Sequence, residues 1–394
     1  MDDILIIIVG IALALLFNFV NGLNDAANSI ATVVATKALS PLKAVLMASF
    51  FIFAGPLIFS TGIAATIGKS IVDPGFMTVH LLLGAMVGAV LWVFLCSYFG
   101  IPISSSHALI GGLLGAGIAK GGSIAILWPD LLTVSMLITY MIIGGVIFSA
   151  ILALFTFFKH EDWREKLGIG FLAGSSFTVP IVMISGVLKI KGILAVVVFI
   201  IVSPMLGMSA ALVLGFLIMR LCRTMNPGGL NKTFRRLQIV AGSLQAIGHG
   251  ANDAQNAMGM ISAMLVAGGF LTEFSVPFWV IITSCAAISL GTLLGGWRVV
   301  EKMANRITKI RPYQGFSASV AGGGVLSLMT ALGVPVSTTH AMSGAIMGAG
   351  ATRGYASAVK WGIVREIVAA WILTIPASAV VAWVCYVIYA GLFL

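Results

Sequence analysis

The sequence has few charged residues: only 9% of its 394 residues are Asp, Glu, Lys or Arg, whereas 60% are hydrophobic. A soluble globular domain carries about 25% charged residues, so that class of protein is excluded. A transmembrane helix needs about 20 mostly apolar residues, and the chain offers roughly a dozen such stretches between short polar breaks. We therefore predict an all-α, polytopic transmembrane protein that forms one membrane domain.

Cysteine is also scarce. Cys96, Cys222, Cys285 and Cys385 are scattered, with no CxxC pair and no neighbouring histidine to complete a metal site, so we interpret them as small core residues. The serine and threonine hydroxyls stand outside any HExxH or GxSxG context. A membrane-embedded enzyme is therefore the less favoured alternative, and we expect no catalytic residue and no cofactor.

The N-terminus lacks the positive charge that begins a secretory signal peptide, since Met1 is followed by Asp2 and Asp3. We therefore expect the first apolar run to be retained as a transmembrane segment. Basic residues outnumber acidic ones, 22 to 12, but they gather in loops and not along an aromatic-rich helix face. This pattern is typical of cytoplasmic loops beside anionic lipid head groups and indicates no nucleic-acid partner.

Two sequence motifs each occur twice. The first, GLNDAANS from Gly22 to Ser29, is echoed by GANDAQNA from Gly250 to Ala257. The second, PISSSHALIGGLLGAG from Pro102 to Gly117, is echoed by PVSTTHAMSGAIMGAG from Pro335 to Gly350. In both halves the second motif follows the first by roughly 80 residues, which indicates one duplicated unit.

Loop charge predicts that the two copies have opposite orientations in the membrane. The first motif follows an acidic terminus, whereas the second follows a loop with five basic residues: Arg220, Arg223, Lys232, Arg235 and Arg236. Because basic loops face the cytoplasm, the two copies would be inverted, with about twelve crossings and both termini extracytoplasmic. The predicted division is a first inverted repeat (1 to 158), two linking transmembrane helices with a basic cytoplasmic loop (159 to 235), and a second inverted repeat (236 to 394).

The stretches 102 to 119 and 335 to 350 are short for a full span. Twelve crossings require each of them to carry the chain across the membrane, so we predict broken or hairpin half-helices there. A re-entrant hairpin that returns to its own side is the alternative. It would leave Arg353 and Lys360 outside the cell, against the charge rule.

The apolar run from Ile4 to Thr36 is unusually long for one span. A wholly helical run would measure about 50 Å, which exceeds a hydrocarbon core of about 30 Å. A polar cluster from Asn21 to Asn28 lies in its middle. We therefore expect the helix to unwind at this cluster, where freed backbone carbonyls would stand beside side-chain oxygens.

The ND motifs have the composition of a cation site. One carboxylate and two amides share a helix face at positions i, i+4 and i+7 in the first copy, and a histidine replaces the first amide in the second. A single carboxylate beside neutral oxygens suits Na⁺, whereas divalent cations usually recruit more acids. The predicted cation-binding residues are Asn21, Asn24, Asp25, Asn28, His249, Asn252, Asp253 and Asn256, with Asp25, Asn28, Asp253 and Asn256 as the Na⁺ ligands.

The alternative interpretation of the ND motifs is structural. Asp25 and Asp253 would then cap helices or form interhelical hydrogen bonds, although an ionisable group inside a span is costly and usually functional. For His249, a structural hydrogen-bonding role is as open as ligation of the cation.

Each second motif begins with a proline suited to the first turn of a helix, followed by three hydroxyl residues. Hydroxyls and free N–H groups at a helix N-terminus bind an anion without Lys or Arg. Two such ends meeting near the midplane would surround a tetrahedral oxyanion with donors. The predicted anion-binding residues are Ser104, Ser105, Ser106, Ser337, Thr338 and Thr339. The alternative is that they cap helices or pack tightly, and we interpret the adjacent His107 and His340 as interior histidines.

Through the duplicated ND-x-x-N and P-x-[ST]-[ST]-[ST]-H patterns, which cover both halves, the sequence resembles the inorganic phosphate transporter (PiT) family of cation-coupled phosphate permeases. The resemblance implies symport of inorganic phosphate with Na⁺ or H⁺ across the cell membrane by alternating access, and a homodimer surrounded by membrane lipid. It places the family's ion-binding positions at Asn24, Asp25, Asn28, Asn252, Asp253 and Asn256, and its phosphate-binding hydroxyls at 104 to 106 and 337 to 339.

Several alternatives stay open beside this resemblance. Some relatives carry sulfate, so a permease for another oxyanion of the same fold is the main one. A passive channel would keep the same polar residues without coupling to a cation. Na⁺ is favoured over H⁺ by the oxygen ligands, but the sequence does not separate the two. The long hydrophilic central loop of animal members is absent, and with it any regulation housed there.

Overall fold

The computed structural model describes residues 3 to 157, 164 to 190, 192 to 353 and 358 to 393. Helices account for most of this part of the chain, and the described residues hold no β-strand, only an isolated bridge between Val72 and Ile126. The prediction of an all-α fold is confirmed.

Fourteen helices are found among the described residues. The first seven are α1 (Asp3–Ala35), α2 (Pro41–Ile58), α3 (Gly62–Lys69), α4 (Val79–Phe99), α5 (Ser105–Gly121), α6 (Leu131–Phe157) and α7 (Arg164–Ile184). The others are α8 (Gly192–Leu221), α9 (Pro227–Ala267), α10 (Phe278–Leu294), α11 (Trp297–Glu301), α12 (Pro312–Ala331), α13 (Thr338–Ala351) and α14 (Trp361–Phe393). A π-helical turn, Lys302–Arg306, continues α11.

Seven helices are long and apolar enough to cross a membrane by length and composition. An eighth span results if α10 and the bent segment from Trp297 to Arg306, which turns by 66°, are counted as one. α6 has a pattern expected beside lipid, because apolar side chains such as Ile143 and Val146 remain exposed. α9 and α13, which carry polar motifs, are not among the seven. The number of twelve crossings therefore stays a prediction.

The predicted unwinding at the ND motifs is wrong. α1 is helical without a break through Asn21 to Asn28, and α9 runs unbroken for 41 residues through the second ND motif. Side chains at i, i+4 and i+7 already present their oxygens on one face of an intact helix, so no backbone carbonyl has to be freed. The interruptions lie directly before the Ser/Thr motifs, at 101 to 104 and 334 to 337.

Two helical hairpins turn at these interruptions. α4 and α5 form the first, whose outer ends are joined where Lys120 Nζ donates to Thr78 Oγ1 at 2.7 Å. α12 and α13 form the second, whose outer ends are joined where Gln314 Nε2 donates to the Ala349 carbonyl at 2.8 Å. The predicted hairpin half-helices are thus confirmed. Neither 102 to 119 nor 335 to 350 folds back on itself, because α5 and α13 are single helices.

The loops gather at two ends of the helix bundle. At the first end, which we call the basic face, Arg353 donates to the Lys309 carbonyl at 3.0 Å. At the other end, which we call the opposite face, the Lys69 ammonium lies 5.0 Å from the centre of the Phe274 ring. Which face is cytoplasmic stays a prediction, and residues 1, 2 and 394 and the division at 158 lie outside the described residues.

In each copy, the helix that carries the ND motif packs against a helix of the other copy. α1 of the first copy packs against α10 of the second, and α9 of the second packs against α2 of the first. The motif glycines permit this approach, because a Cβ on Gly22 would meet the Ile288 carbonyl oxygen and one on Gly250 would meet that of Ile52. The small-residue runs of α5 and α13 pack equally closely on α14 and α8, as their composition predicts.

Gly22→Ala is expected to destabilise the protein by about 1 to 3 kcal/mol, the usual cost of overpacking. The added methyl group would overlap the backbone of α10. Gly324→Ala is the matched control, since a Cβ at this helical glycine meets no atom within 4 Å. The thermal unfolding midpoint of detergent-purified protein measures the difference. Equal midpoints for the two variants would contradict the close packing of α1 on α10.

Candidate functional site

All fourteen side chains predicted to bind a cation or an anion are buried, and none exposes more than 4% of its surface. They come from the middle of α1 and α9 and from the N-terminal ends of α5 and α13. We call these fourteen side chains the cluster. Hydrogen bonds between the ND motifs and the Ser/Thr motifs connect eight of them: Asp25, Asn28, Asp253, Asn256, Ser105, Ser106, Thr338 and Thr339. The structure therefore merges the predicted cation site and the predicted anion site.

Asp25 and Asp253, one from each copy, lie beside each other. One ligand atom from each of Asp25, His249 and Asp253 lies within 4.8 Å of the other two. Two carboxylates at about 5 Å repel each other by about 3 kcal/mol if the effective dielectric constant is about 20. A bound cation would remove this repulsion, so the pair favours a positively charged ligand.

Hydroxyls from both copies donate to Asp25. Ser105 Oγ lies 3.2 Å from its Oδ2, and Thr339 Oγ1 lies 3.0 Å from its Oδ1. The Thr339 hydroxyl is also 2.9 Å from the Ile103 carbonyl, in the turn of the first hairpin. Asp25 thus holds the N-terminal ends of α5 and α13 together.

Asp253 is held within its own copy and reaches the first copy through a histidine. Thr338 Oγ1 donates to Asp253 Oδ2 at 3.1 Å, and His249 Nε2 lies 3.0 Å from the same oxygen. The other ring nitrogen of His249 is 2.7 Å from Ser29 Oγ on α1. Both ring nitrogens of His249 therefore take part in the hydrogen-bond network around one carboxylate, as a structural role requires.

The amides of the ND motifs bond to the hydroxyl motif of the other copy. Asn28 Nδ2 donates to Thr338 Oγ1 at 3.2 Å and to Thr339 Oγ1 at 3.0 Å. Asn256 Nδ2 lies 3.0 Å from Ser106 Oγ. Equivalent residues thus make reciprocal contacts between the two copies.

The first hydroxyl of each triplet caps its helix. The Ser104 hydroxyl oxygen accepts a bond from His107 N at 3.3 Å, and that of Ser337 accepts one from His340 N at 3.2 Å. These caps start α5 and α13 inside the bundle, where the first N–H groups of each helix have no partner of their own in the helix. Both helix ends therefore offer N–H donors and hydroxyls to the same buried space.

Several buried oxygens of the cluster have no hydrogen-bond partner among the described residues. They are the Oδ1 atoms of Asn21, Asn24, Asn28, Asn252 and Asp253. A buried polar group without a partner costs about 1 to 3 kcal/mol, so five such oxygens in one region call for a ligand. Carbonyl and carboxylate oxygens are what Na⁺ binds, and the predicted residues therefore fit this cation.

Besides the capping residues Ser104 and Ser337, three predicted amide side chains stand apart from the hydrogen bonds between the motifs. Asn24 Nδ2 donates to Ser97 Oγ on α4 at 2.9 Å, whereas the side chains of Asn21 and Asn252 have no hydrogen-bond partner among the described residues. Their oxygens lie on the motif helices without touching the hydroxyls. They would contribute to the site only through a bound ion.

The sequence interpretation missed three supporting residues. Ser29 bonds to His249, and Ser97 bonds to Asn24. Gln255 accepts from Ala64 N at 3.0 Å and so ties the second ND motif to the start of α3. Ser29 and Gln255 lie within the quoted motifs, so the repeat itself carried a signal for them, whereas nothing in the local sequence singled out Ser97.

The two histidines after the hydroxyl triplets meet across the copies. The rings of His107 and His340 pack edge to face with centroids 4.9 Å apart, and His340 lies 3.9 Å from the Trp371 ring. Both are buried. Their contacts agree with the interpretation as interior histidines.

Comparison with known proteins gives a consistent result. Residues 21 to 382 match the family described as "Phosphate transporter family". A Rhizobium meliloti protein named "Probable low-affinity inorganic phosphate transporter" is 42% identical over 377 residues, which cover 95% of this chain and 94% of the relative. A Bacillus subtilis protein of the same name is 33% identical over 397 residues, with 100% of both chains covered. A solved structure described as "The sodium-dependent phosphate transporter" is similar with a TM-score of 0.70 and 26% identity, over 99% of this chain and 100% of that one.

Proposed function

The chain belongs to the phosphate transporter family, and from this premise we propose that it carries inorganic phosphate across the cell membrane in symport with Na⁺. One observation carries the proposal: the buried Asp25 accepts a hydrogen bond from a hydroxyl of each Ser/Thr motif, and the buried Asp253 accepts one from the second motif. The groups suited to a cation and those suited to an anion therefore share the same hydrogen bonds.

Na⁺ is proposed over H⁺ because of the oxygens that surround the carboxylates. A proton occupies a single oxygen, whereas a hard metal cation collects several. Asp25, Asn28, Asp253 and Asn256 form the proposed inner ligand set, and the unpartnered oxygens of Asn21, Asn24 and Asn252 extend it. His249 orients Asp253 in this proposal.

The phosphate would lie between the N-terminal ends of α5 and α13. Ser105, Ser106, Thr338 and Thr339 supply hydroxyl donors, and the helix ends supply N–H groups and partial positive charge. Ser104 and Ser337 hold those ends in place as caps. No Lys or Arg side chain hydrogen-bonds to these residues within the described part of the chain, so the anion would be released easily once the cation leaves.

The shared hydrogen bonds supply a mechanism for coupling. Without a cation, the hydroxyls of Ser105, Thr338 and Thr339 donate to carboxylates. A hydroxyl has only one proton to donate, so it does not serve a carboxylate and a phosphate oxygen at once. Na⁺ bound to Asp25 and Asp253 satisfies the carboxylates and frees the hydroxyls to turn toward phosphate. Cation binding thus precedes or accompanies anion binding.

Phosphate is proposed over sulfate because the cluster holds a free acceptor. Hydrogen phosphate carries a proton that it donates, whereas sulfate carries none. In this proposal Na⁺ binds Asp253 through Oδ2, which the Thr338 hydroxyl gives up, and Oδ1, which has no hydrogen-bond partner among the described residues, would accept this P–OH proton. The same oxygen would repel sulfate, which brings no donor, and this is a repulsive element of the kind that specificity often requires.

The burial of the site supports transport by alternating access as part of this proposal. None of the fourteen side chains exposes more than 4% of its surface, so neither face reaches them without movement. Each hairpin brings one Ser/Thr motif to the cluster, and displacement of one hairpin at a time would open the site to one face. Inverted repeats and a homodimer belong to the same proposal through the family resemblance, and inverted repeats and extracytoplasmic termini belong to it through the charges of the loops.

Uptake of labelled phosphate into proteoliposomes under separate Na⁺ and pH gradients tests the function. We expect an inward Na⁺ gradient to drive accumulation, choline to abolish it, and excess sulfate to compete weakly. Uptake that follows only a pH gradient would overturn Na⁺ coupling, and equilibration that ignores both gradients would indicate a passive channel. Sulfate that competes as well as phosphate would contradict the proposed role of Asp253.

A further inference from the structure

A cavity of about 430 Å³ lies between α3, the loop after α7 and the turn of the second hairpin. Its lining includes Thr66, Lys69, Ser70, Lys189, Gly333 and Pro335. None of the residues predicted to bind the cation or the anion lines it. The cavity is therefore a separate feature on the opposite face, away from the basic loops.

Two of the cavity's lining residues are lysines, and no acidic residue lines it. The described part of the opposite face has just one further lysine, Lys120, whose ammonium already donates to Phe76 and Thr78. Lys69 and Lys189 are exposed and form no hydrogen bond or ion pair with a described residue. Two ammonium groups without an acidic partner among the described residues thus share one cavity, and that of Lys69 also lies beside the Phe274 ring.

The cavity reaches the chain segment that leads into the second hydroxyl triplet. Pro335 lines it, and Ser337, only two residues further on, caps α13. Two residues span at most about 7 Å, so the cavity wall lies within that distance of the cap. Thr66 Oγ1 donates to the Gly333 carbonyl at 3.1 Å, which links α3 directly to the hairpin turn.

We propose that this cavity is a vestibule in which Lys69 and Lys189 bind inorganic phosphate before it passes the hairpin turn to the buried hydroxyls. The inference rests on the proposed function and adds a binding step to it. Because both ammonium groups are exposed, each attraction is weak and screened by salt, which suits capture followed by release. The buried site has hydroxyls and N–H donors, so the lysines supply the fixed positive charge that it lacks.

A thiol introduced into the cavity tests this binding step without transport. Ser70→Cys would be made together with Cys222→Ser and Cys385→Ser, because Cys96 and Cys285 are buried and these two are not. The reaction rates with an anionic and a cationic thiosulfonate reagent are compared in purified protein. We expect the ratio of the anionic to the cationic rate to fall roughly fivefold in Lys69→Gln/Lys189→Gln. Inorganic phosphate should slow the reaction only while the lysines are present.

Transport kinetics test the consequence for uptake. Lys69→Gln/Lys189→Gln should raise the phosphate concentration for half-maximal uptake several-fold at low salt, with the maximal rate little changed, and added salt should remove the difference. Replacing both lysines with arginine should leave the phosphate concentration for half-maximal uptake unchanged. Lys232→Gln, an exposed lysine on the basic face, is the matched control.

The two measurements separate failure of the vestibule from failure of the proposed function. If phosphate does not protect the Ser70→Cys thiol, or protects it equally without the lysines, the vestibule is wrong whatever the uptake assay shows. If phosphate protects the thiol but the unmodified protein takes up no phosphate, the vestibule stands as an anion site and the proposed transport fails. If the double glutamine variant needs the same phosphate concentration for half-maximal uptake at low salt as the unmodified protein, the proposed role of the lysines is wrong.

Discussion

Asp25→Asn and Asp253→Asn are each expected to lower the apparent affinity for Na⁺ in phosphate uptake by at least about tenfold. A unit charge about 4 Å from a cation contributes about 4 kcal/mol at an effective dielectric constant of about 20, and 1.4 kcal/mol corresponds to a tenfold change. Asparagine keeps the shape of the side chain and one acceptor oxygen. The loss would therefore report on charge and not on packing.

The same variants should be more stable than the unmodified protein when Na⁺ is absent. One neutral partner removes the repulsion between two carboxylates whose ligand atoms lie within 4.8 Å. Added Na⁺ should raise the thermal unfolding midpoint of the unmodified protein and should raise that of the variants much less, since a ligand stabilises only the state it binds. A variant that is more stable without Na⁺ but gains less stability from Na⁺ has lost a cation site, whereas a misfolded variant would be less stable in both conditions.

Glu273→Gln is the matched control for both measurements, because Glu273 is exposed on the opposite face. It should leave the Na⁺ titration of uptake and the Na⁺-dependent midpoint unchanged. Identical Na⁺ titrations in the control and both aspartate variants would show that the carboxylates are structural, which is the alternative interpretation of the ND motifs.

Thr339→Val is expected to raise the phosphate concentration for half-maximal uptake by about tenfold or more. Valine has nearly the same shape but no hydroxyl, and a hydrogen bond to a charged group is worth about 1.5 to 3 kcal/mol. The Thr339 hydroxyl is central to the cluster, since it donates to Asp25 and accepts from Asn28. Its loss would remove a donor for phosphate and loosen a contact between the two copies.

Thr339→Ser provides the rescue, because serine keeps the hydroxyl. The serine variant should need nearly the same phosphate concentration for half-maximal uptake as the unmodified protein. Thr283→Val should leave this concentration unchanged, because among the described residues the Thr283 hydroxyl bonds to carbonyls of its own helix. A valine variant with normal half-saturation and a lowered unfolding midpoint would favour the packing interpretation of the hydroxyl motifs. The initial rate of labelled phosphate uptake against phosphate concentration is the measurement.

The membership of the cluster was predictable from the duplicated motifs. A duplicated unit repeats its contacts, and Asn28 and Asn256, which hold the same motif position, each bond to the hydroxyl triplet of the other copy. The helix caps were likewise foreseeable from a proline followed by serine. What the motifs did not reveal is that the hydroxyls donate to the carboxylates, because that contact joins residues up to 314 positions apart in sequence.

The wrong expectation about α1 has an instructive cause. A wholly helical α1 is longer than the bilayer is thick, and unwinding at the polar cluster is one way to accommodate the excess. The structure keeps the helix intact and puts the interruptions before α5 and α13. Length alone does not locate a break. The proline and serine residues that begin the second motifs were the more reliable signal, since they specify where a helix starts.

The sequence by itself determined that the helices suit a lipid bilayer, that the unit is duplicated and which motif residues form the buried cluster, because composition, apolar run length and motif identity are local properties that need no partner. The tertiary structure decided that Asp25 and Asp253 lie side by side, that hydroxyls from both copies bond to them, and that a cavity with two lysines lies beside the second hairpin turn. These features depend on how helices pack across the two copies. Such packing is set by close backbone contacts at glycines such as Gly22 and Gly250, whose partners on α10 and α2 are distant in the chain.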